Sequence, residues 1–317
     1  MLRITTKLFI SLCIALLCNT VFSQPSLQYV PEDLAEGPMQ IERVKEGLYL
    51  IRGPFSLCMR DDCFIGETGP APEEANRETG DIAVRVTDRG LILVDNKFYD
   101  QVDNVLDLIR SISPLPIMYV LNTHYHSDHT QGNSIFRSAG LDIVAHKNTR
   151  SNFLNKGQAG EPNIVFDREA SIFLGDVEVR LLHVGRGHTD GDSIIYFPDL
   201  RTVHAGDLVM DGMPIIDYSA GGTAIEWIQT IDALLEIDFD TLIPGHGRIM
   251  NREDVLAYKY RFEEMNRRMR DIAQRGVPID EVLEALKLEE LGWENTGSTP
   301  TWLSLSLEPY YNEMASQ

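Results

Sequence analysis

Hydrophobic and polar positions along this chain change period several times, and each change marks an element. From Gln40 to Gly53 they alternate, ending in Gly47-Leu48-Tyr49-Leu50-Ile51-Arg52-Gly53, and a period of two predicts a strand. Ile82-Ala83-Val84-Arg85-Val86 and Leu91-Ile92-Leu93-Val94-Asp95 flank Thr87-Asp88-Arg89-Gly90, whose Asp and Gly suit a turn, so the three pieces predict a hairpin. Val102, Val105, Leu106, Ile109 and Ile112 follow helical spacing, which Pro114 closes. Pro116-Ile117-Met118-Tyr119-Val120-Leu121 is apolar without interruption and reads as a buried strand.

The second half keeps this mixture. Leu141 to His146 predicts a strand, followed by a helix to about Asn155. Ala170 to Phe197 is strand-rich, holding Val177–Leu182 and Ser193–Phe197, and Arg201 to Ala205 is a short strand. Thr223 and Glu226 are spaced as a capping box, opening a helix with Ile228, Ile231, Leu234 and Leu235 on one face. Thr241-Leu242-Ile243 is a strand. Asn251 and Asp254 can cap a helix whose Val255, Tyr258, Phe262, Met265, Met269 and Ile272 form a core-packing stripe. Tyr258, Arg261 and Arg268 are expected to coat the domain rather than reach a ligand, and Trp302, Tyr310 and Tyr311 to cover the core or form a contact surface. Strands interleaved with helices make this an α/β (α+β) chain without internal repeat or low-complexity tract.

The N-terminus has a different pattern. A short basic start containing Arg3 and Lys7 precedes an apolar run from Leu8 to about Phe22, and Val21-Phe22-Ser23 offers a cleavage site. This predicts a signal peptide over residues 1–23, a periplasmic or secreted protein, and one domain over 24–317 with a helical extension from about 251. The run is too short, and followed by too polar a segment, to favour a permanent membrane anchor over a cleaved leader. With 317 residues the chain is long enough for one large domain with a full core. Its 28 basic residues against 48 acidic ones, a net charge of −20, argue against nucleic acid or anionic membrane as partners, which leaves a small-molecule substrate. Cys58 and Cys63 lie in Pro54 to Gly80, a segment rich in Gly, Pro and acids that reads as a long surface loop, and in an oxidising compartment they predict a disulfide.

The chemistry concentrates directly after the apolar run ending at Leu121. His124, His126, Asp128 and His129 are spaced His-x-His-x-Asp-His. Imidazole nitrogen and carboxylate oxygen suit borderline divalent ions such as zinc, and burying this cluster without a metal would be costly. Three further candidates each follow a strand: His188 in Gly187-His188-Thr189, Asp207 in Gly206-Asp207, and His246 in Pro244-Gly245-His246-Gly247.

Taken in order, these motifs resemble the metallo-β-lactamase superfamily over roughly Val44 to Ile249. The resemblance implies a four-layer αββα sandwich with two metals at one sheet edge. It implies His124, His126 and His188 on one ion, Asp128, His129 and His246 on the other, and Asp207 bridging them. The filled ligand positions favour two Zn2+, with iron or manganese left open. Asp95, ending a strand as an aspartate does in the family, is the carboxylate expected to orient the ligand loop, and Tyr125 and Thr189 are lesser candidates for ordering the site. His146, His183 and His204 match no family position and read as packing or surface residues, with His204 close enough to Asp207 in sequence to support it.

Such a site implies hydrolysis by water activated at the metal pair, with Asp128 both ligating and orienting the nucleophile. The expected substrate is a small ester, thioester or amide. β-Lactam hydrolysis is the leading alternative, although Leu208-Val209-Met210-Asp211 supplies no cation for a lactam carboxylate and Asp207 stands where one lactamase subclass has cysteine. The bridging Asp207 looks more like glyoxalase II, but Gly245-His246-Gly247-Arg248 departs from that enzyme's Gly-His-Glu-Tyr. A mononuclear iron persulfide dioxygenase of the same fold uses two histidines and an aspartate, and the full second ligand set points away from it. A non-catalytic binding protein is the remaining class, opposed by the intact ligand set.

Overall fold

The computed structural model describes residues 39–53, 80–293 and 305–317. The predicted signal peptide and the Cys58–Cys63 pair fall outside the described residues. Among those described, no helix is long and apolar enough to cross a membrane.

Two sheets face each other. The first holds seven strands in the order β1 (Gln40–Lys45), β2 (Leu48–Arg52), β3 (Ile82–Val86), β4 (Leu91–Val94), β5 (Ile117–Leu121), β6 (Asp142–His146) and β7 (Ile164–Phe166). The second holds five, in the spatial order β12 (Thr241–Ile243), β11 (Thr202–His204), β10 (Ile194–Phe197), β9 (Val177–Leu182) and β8 (Glu169–Leu174). The alternating stretch Gln40–Gly53 is thus two strands, not one: Gly47, at φ 67°, turns the chain back, a conformation open to glycine at little cost.

Strand sequence explains the layering. In β4, Ile92 and Val94 point into the core between the sheets, while Leu91 and Leu93 pack outward against α1 (Val102–Ile112). In β10, Ile195 and Phe197 face the first sheet, and Ile194 and Tyr196 face the helices beyond the second. A strand covered on both faces must be apolar at every position, which is why these runs lack alternation. β5 departs from the expected burial: Met118 is 42% exposed, and only Val120 and Leu121 are fully covered.

On the far side, α5 (Ala224–Leu235), α6 (Arg252–Gln274), α7 (Val282–Leu286) and a C-terminal helix α8 (Leu307–Ala315) close the sandwich. The predicted stripe on α6 is fully buried, and Asn251 and Asp254 form its capping box. Tyr258 is therefore core, Arg261 lies over the Trp293 ring, and Arg268 pairs with Glu264 and Glu290. In α5 the Thr223 hydroxyl accepts from the Glu226 amide, but the Glu226 carboxylate pairs with Arg186 instead of reaching back, so only half of the expected box forms. The buried face of α5 centres on Trp227, Ile231 and Leu234, with Ile228 and Leu235 at its margins.

His146 has a structural use that predicts a measurable pH effect. It caps α4 (Lys147–Lys156), its Nδ1 accepting from the Asn148 amide at 3.3 Å, and its ring stacks on His183 at 3.9 Å. Burial, then the neighbouring His183, push His146 from 6.5 down to about 4. Because the folded state disfavours the cation, this stability is present above pH 6.5 and is lost as pH falls towards 4, by up to about 1.4 kcal/mol per pH unit. In chelated protein, His146→Asn, which keeps a capping acceptor, is expected to flatten the fall in melting temperature across this window. An unchanged slope would assign the acid sensitivity to other groups.

Candidate metal centre

The sheets position the site by their parallel pairs. β4, β5 and β6 run parallel, with Val94 beside Leu121 and Leu121 beside Val144, so the loops that follow leave from one edge. β11 and β12 do the same in the second sheet, with His204 beside Ile243. Asp95 and the His124–His129 loop therefore come from one sheet, and Asp207 and His246 from the other. Their meeting place is the carboxyl end of the strands, where α/β folds place ligand sites. His188 arrives on the loop joining β9 to β10.

All seven sequence-predicted ligands converge. His124, His126, His188 and Asp207 form one group and Asp128, His129 and His246 a second, with the donor atoms of each group within 4.8 Å of one another. Asp207 faces both groups. Its Oδ2 lies 3.9 Å from His124 Nε2 and 3.6 Å from His188 Nε2, while its Oδ1 lies 3.2 Å from His129 Nε2 and 3.4 Å from His246 Nε2. Asp128 Oδ2 is 3.2 Å from His246 Nε2 and 3.4 Å from His129 Nε2. The backbone of Gly245 sits directly against Asp207, and a Cβ there would lie 1.9 Å from Oδ1.

The outer faces of the rings define their tautomers. His188 Nδ1 donates to the Ile215 carbonyl at 2.6 Å, which can only accept. His126 Nε2 donates to the Asp217 carboxylate at 3.0 Å. His129 Nδ1 donates to Asp95 Oδ2 at 2.9 Å. Thr123 gives its hydroxyl proton to the same Asp95 oxygen at 2.7 Å, so it accepts from His124 Nδ1 at 3.0 Å. Each of these four rings, in its neutral form, then presents a lone pair inward. His188 Nε2 and His126 Nδ1 face each other at 2.8 Å, and among the described residues the buried His124 Nε2 has no hydrogen-bond partner.

Converging lone pairs repel unless a cation lies among them. Tetrahedral ligands about 2.0–2.2 Å from one ion stand roughly 3.3–3.6 Å from each other, close to the spacings observed here. The donor set is nitrogen and carboxylate oxygen without sulfur, which suits zinc and neighbouring divalent ions. The residues present therefore fit a pair of such ions.

Charge in the site divides the same way. Burial, then His129, push His124 well below its ordinary value, and burial brings His188 down to about 4. Burial also opposes charge on His246 and His129. The carboxylates of Asp207 and Asp128 more than offset it, holding His246 up at about 10 and His129 well above its usual range. Divalent ions at such ligands displace these protons.

Two features were not foreseen from sequence. Asp217 accepts from His126 and from the Tyr125 hydroxyl, so the two side chains share one carboxylate. The Ile215 carbonyl that holds His188 carries no side-chain signal at all. Asp95 occupies its expected place, buried and in a left-handed backbone conformation (φ 60°), with Oδ1 accepting from the Thr123 amide. Thr189 follows His188 directly, and its hydroxyl donates to Asp192. His204 Nε2 donates to the Asp81 carbonyl while Nδ1 accepts from the Gly206 amide, next to Asp207.

The profile of the metallo-beta-lactamase superfamily matches residues 98–246. The chain is 25% identical over 175 residues to the 2,4-dinitroanisole O-demethylase subunit alpha of Nocardioides sp. (strain JS1661), covering 54% of this chain and 53% of that one. It is 23% identical over 171 residues to the metallo-beta-lactamase type 2 of Bacillus cereus, covering 52% and 66%. The chain thus spans between half and two thirds of the length of these curated relatives. A metallo-beta-lactamase from Pontibacter korlensis superposes with a TM-score of 0.60 at 16% identity, over 71% of this chain and 99% of that one, a likeness of fold alone. The profile match, the ligand order and these similarities support membership of the metallo-β-lactamase superfamily, whose members are generally metal-dependent hydrolases.

Proposed function

We propose that this chain is an exported hydrolase that works with two divalent ions, zinc by the chemistry of its donors, on a small ester, thioester or amide. The observation that carries this reading is the set of four histidines whose outer nitrogens are engaged and whose inner lone pairs converge around the split carboxylate of Asp207. His124, His126 and His188 would hold one ion, Asp128, His129 and His246 the other, with Asp207 between. Such ions, when bound, supply Lewis acidity and lower the pKa of water from near 16 to about 7.

The chain's own residues do the rest. His124, His129 and His188 are almost fully covered, whereas Asp128 and His246 are 26% and 29% exposed, so substrate approaches over these two. Asp128, with its carboxylate at this mouth, is positioned to accept a hydrogen bond from water and so aim the nucleophile. Asp95 and Asp217 keep the rings in the tautomers that leave their inner nitrogens free. The apolar run Leu8 to Phe22 supports export with residues 1–23 as leader and 24–317 as the working domain.

β-Lactam hydrolysis is the second reading, favoured by the likeness to the Bacillus cereus lactamase. Against it, Leu208, Val209 and Met210 after Asp207 are buried and apolar, and Arg248 beside His246 is paired with Asp254 and Asp211. The deciding measurement is metal content by mass spectrometry together with hydrolysis of nitrocefin and of p-nitrophenyl esters and thioesters, with and without chelator. Two zincs per chain and chelator-sensitive ester or thioester turnover are expected. Nitrocefin turnover at comparable efficiency would favour the lactamase, and one iron without zinc would overturn the dinuclear reading. Chelation should also lower the melting temperature, since free metal at 100 times its Kd stabilises by about 2.7 kcal/mol. An unchanged melting temperature would mean that no metal is held.

A further inference from the structure

We infer that the C-terminal helical segment, through Ser306 and Glu313, positions the histidines of the first metal group by holding the strap between β11 and α5. This rests on the proposed metal centre, and concerns residues beyond the 98–246 span matched by the family profile.

The strap is the chain from about Asp211 to Thr223, whose only helical piece is a single turn at Tyr218–Ala220. Two consecutive ligand histidines in the first group depend on it. The Ile215 carbonyl receives His188 Nδ1, and the Asp217 carboxylate receives His126 Nε2. Between these two partners lies Ile216, and both of its backbone groups are satisfied by one side chain. The Ile216 amide donates to Ser306 Oγ at 2.8 Å, and Ser306 Oγ donates to the Ile216 carbonyl at 3.0 Å. Ile216 and Ser306 are both fully buried, so these bonds are shielded from water. A hydroxyl bonded twice to one residue fixes both the position and the rotation of that peptide. The carbonyl of Ile215 and the Cα of Asp217 follow rigidly, because each peptide unit is planar.

Glu313, further along the same segment, grips the strap's end. Its carboxylate accepts from the Tyr218 hydroxyl at 2.6 Å, the Thr223 hydroxyl at 2.5 Å and the Ala224 amide at 3.0 Å. The Thr223 amide donates in turn to the Gly187 carbonyl, next to His188. Burial and the Glu313 carboxylate together push the Tyr218 phenol far up, so it remains a donor. The second metal group leans on other partners: His129 Nδ1 donates to Asp95 and the His246 ring meets Asp128 and Asp207, while the His246 carbonyl accepts from the Asp211 amide at the strap's start, before the stretch from Ile216 to Thr223 that Ser306 and Glu313 hold. The extension therefore acts on one half of the metal pair.

The test compares zinc binding to the two halves in the full chain. Ser306→Ala and Glu313→Gln are each expected to weaken zinc at one of the two sites about tenfold, read by competition with a chromogenic chelator, while the other site keeps its affinity. Tyr310→Phe is the control. Its hydroxyl donates to Asn266 on α6, so this variant loosens α8 while keeping the Ser306 and Glu313 bonds to the strap. It should lower the melting temperature of the metal-free protein and leave both zinc affinities unchanged. Equal weakening in all three variants, or unchanged zinc binding in Ser306→Ala and Glu313→Gln, would reduce the segment to a structural cover and overturn the inference. If the wild-type chain binds no zinc, the metal-centre reading itself fails, which is a separate outcome.

Discussion

Replacing Asp128 by alanine is expected to lower kcat/KM on the chain's best ester or thioester by about 10²–10⁴-fold, the range lost with a positioned proton-handling carboxylate. The stability cost should be small. Asp128 lies in the short helix Ser127–Thr130, is partly exposed, and its carboxylate meets His129 and His246 rather than the core. Those two rings lose one favourable carboxylate but keep Asp207, and His129 also keeps Asp95, so the metal-free variant should melt within a few degrees of wild type. Kinetics and metal content measured on the same preparation separate the roles: full turnover with full metal would remove Asp128 from the mechanism. Loss of one metal with residual turnover would make it a ligand first.

Asp95→Asn should have the other large effect, on metal affinity and on folding together. Asp95 is fully buried and receives three donors: the Thr123 amide, the Thr123 hydroxyl and His129 Nδ1. An asparagine keeps one acceptor oxygen and presents an amide N–H to the remaining donors. Each buried donor left unmet costs about 1–3 kcal/mol. The orientation of His129 is lost directly, and that of His124 through Thr123, so zinc affinity is expected to fall about 10–100-fold at each group. Chelator competition and thermal melting of the metal-free protein measure the two parts. A variant that melts normally and binds zinc normally would show that Asp95 neither supports the loop nor tunes its ligands.

How much of this was legible beforehand depends on how local each signal is. The α6 stripe and its capping box were readable because both the helix and its cap are defined within a few residues, and every predicted stripe position is buried. The hairpin of β3 and β4 was readable for the same reason. The first hairpin was not: alternation continues through Gly47, and a period of two does not reveal that the chain has reversed. Thr223 and Glu226 had the spacing of a capping box, but Arg186, distant in sequence, takes the glutamate. Spacing states what a residue can do locally, and a long-range partner with a full opposite charge can outcompete it.

For the site, the sequence by itself determined the identity of the donors. Histidines and aspartates crowded at the end of an apolar strand, with further ones after later strands, left few uses but metal, because such groups are too costly to bury otherwise. Only the tertiary structure decided how they are held. Two sheets bring Asp95 and the His124 loop against Asp207 and His246, which lie far apart in the chain. The strap bearing Ile215 and Asp217, and the C-terminal helix pinning it, leave no motif, since a carbonyl has no residue type and a serine or glutamate in a helical tail is ordinary. Ligand identity is written in side chains and can be read along the chain. Ligand orientation depends on which distant backbone and side-chain groups meet the outer edge of each ring, and that is settled only when the layers pack.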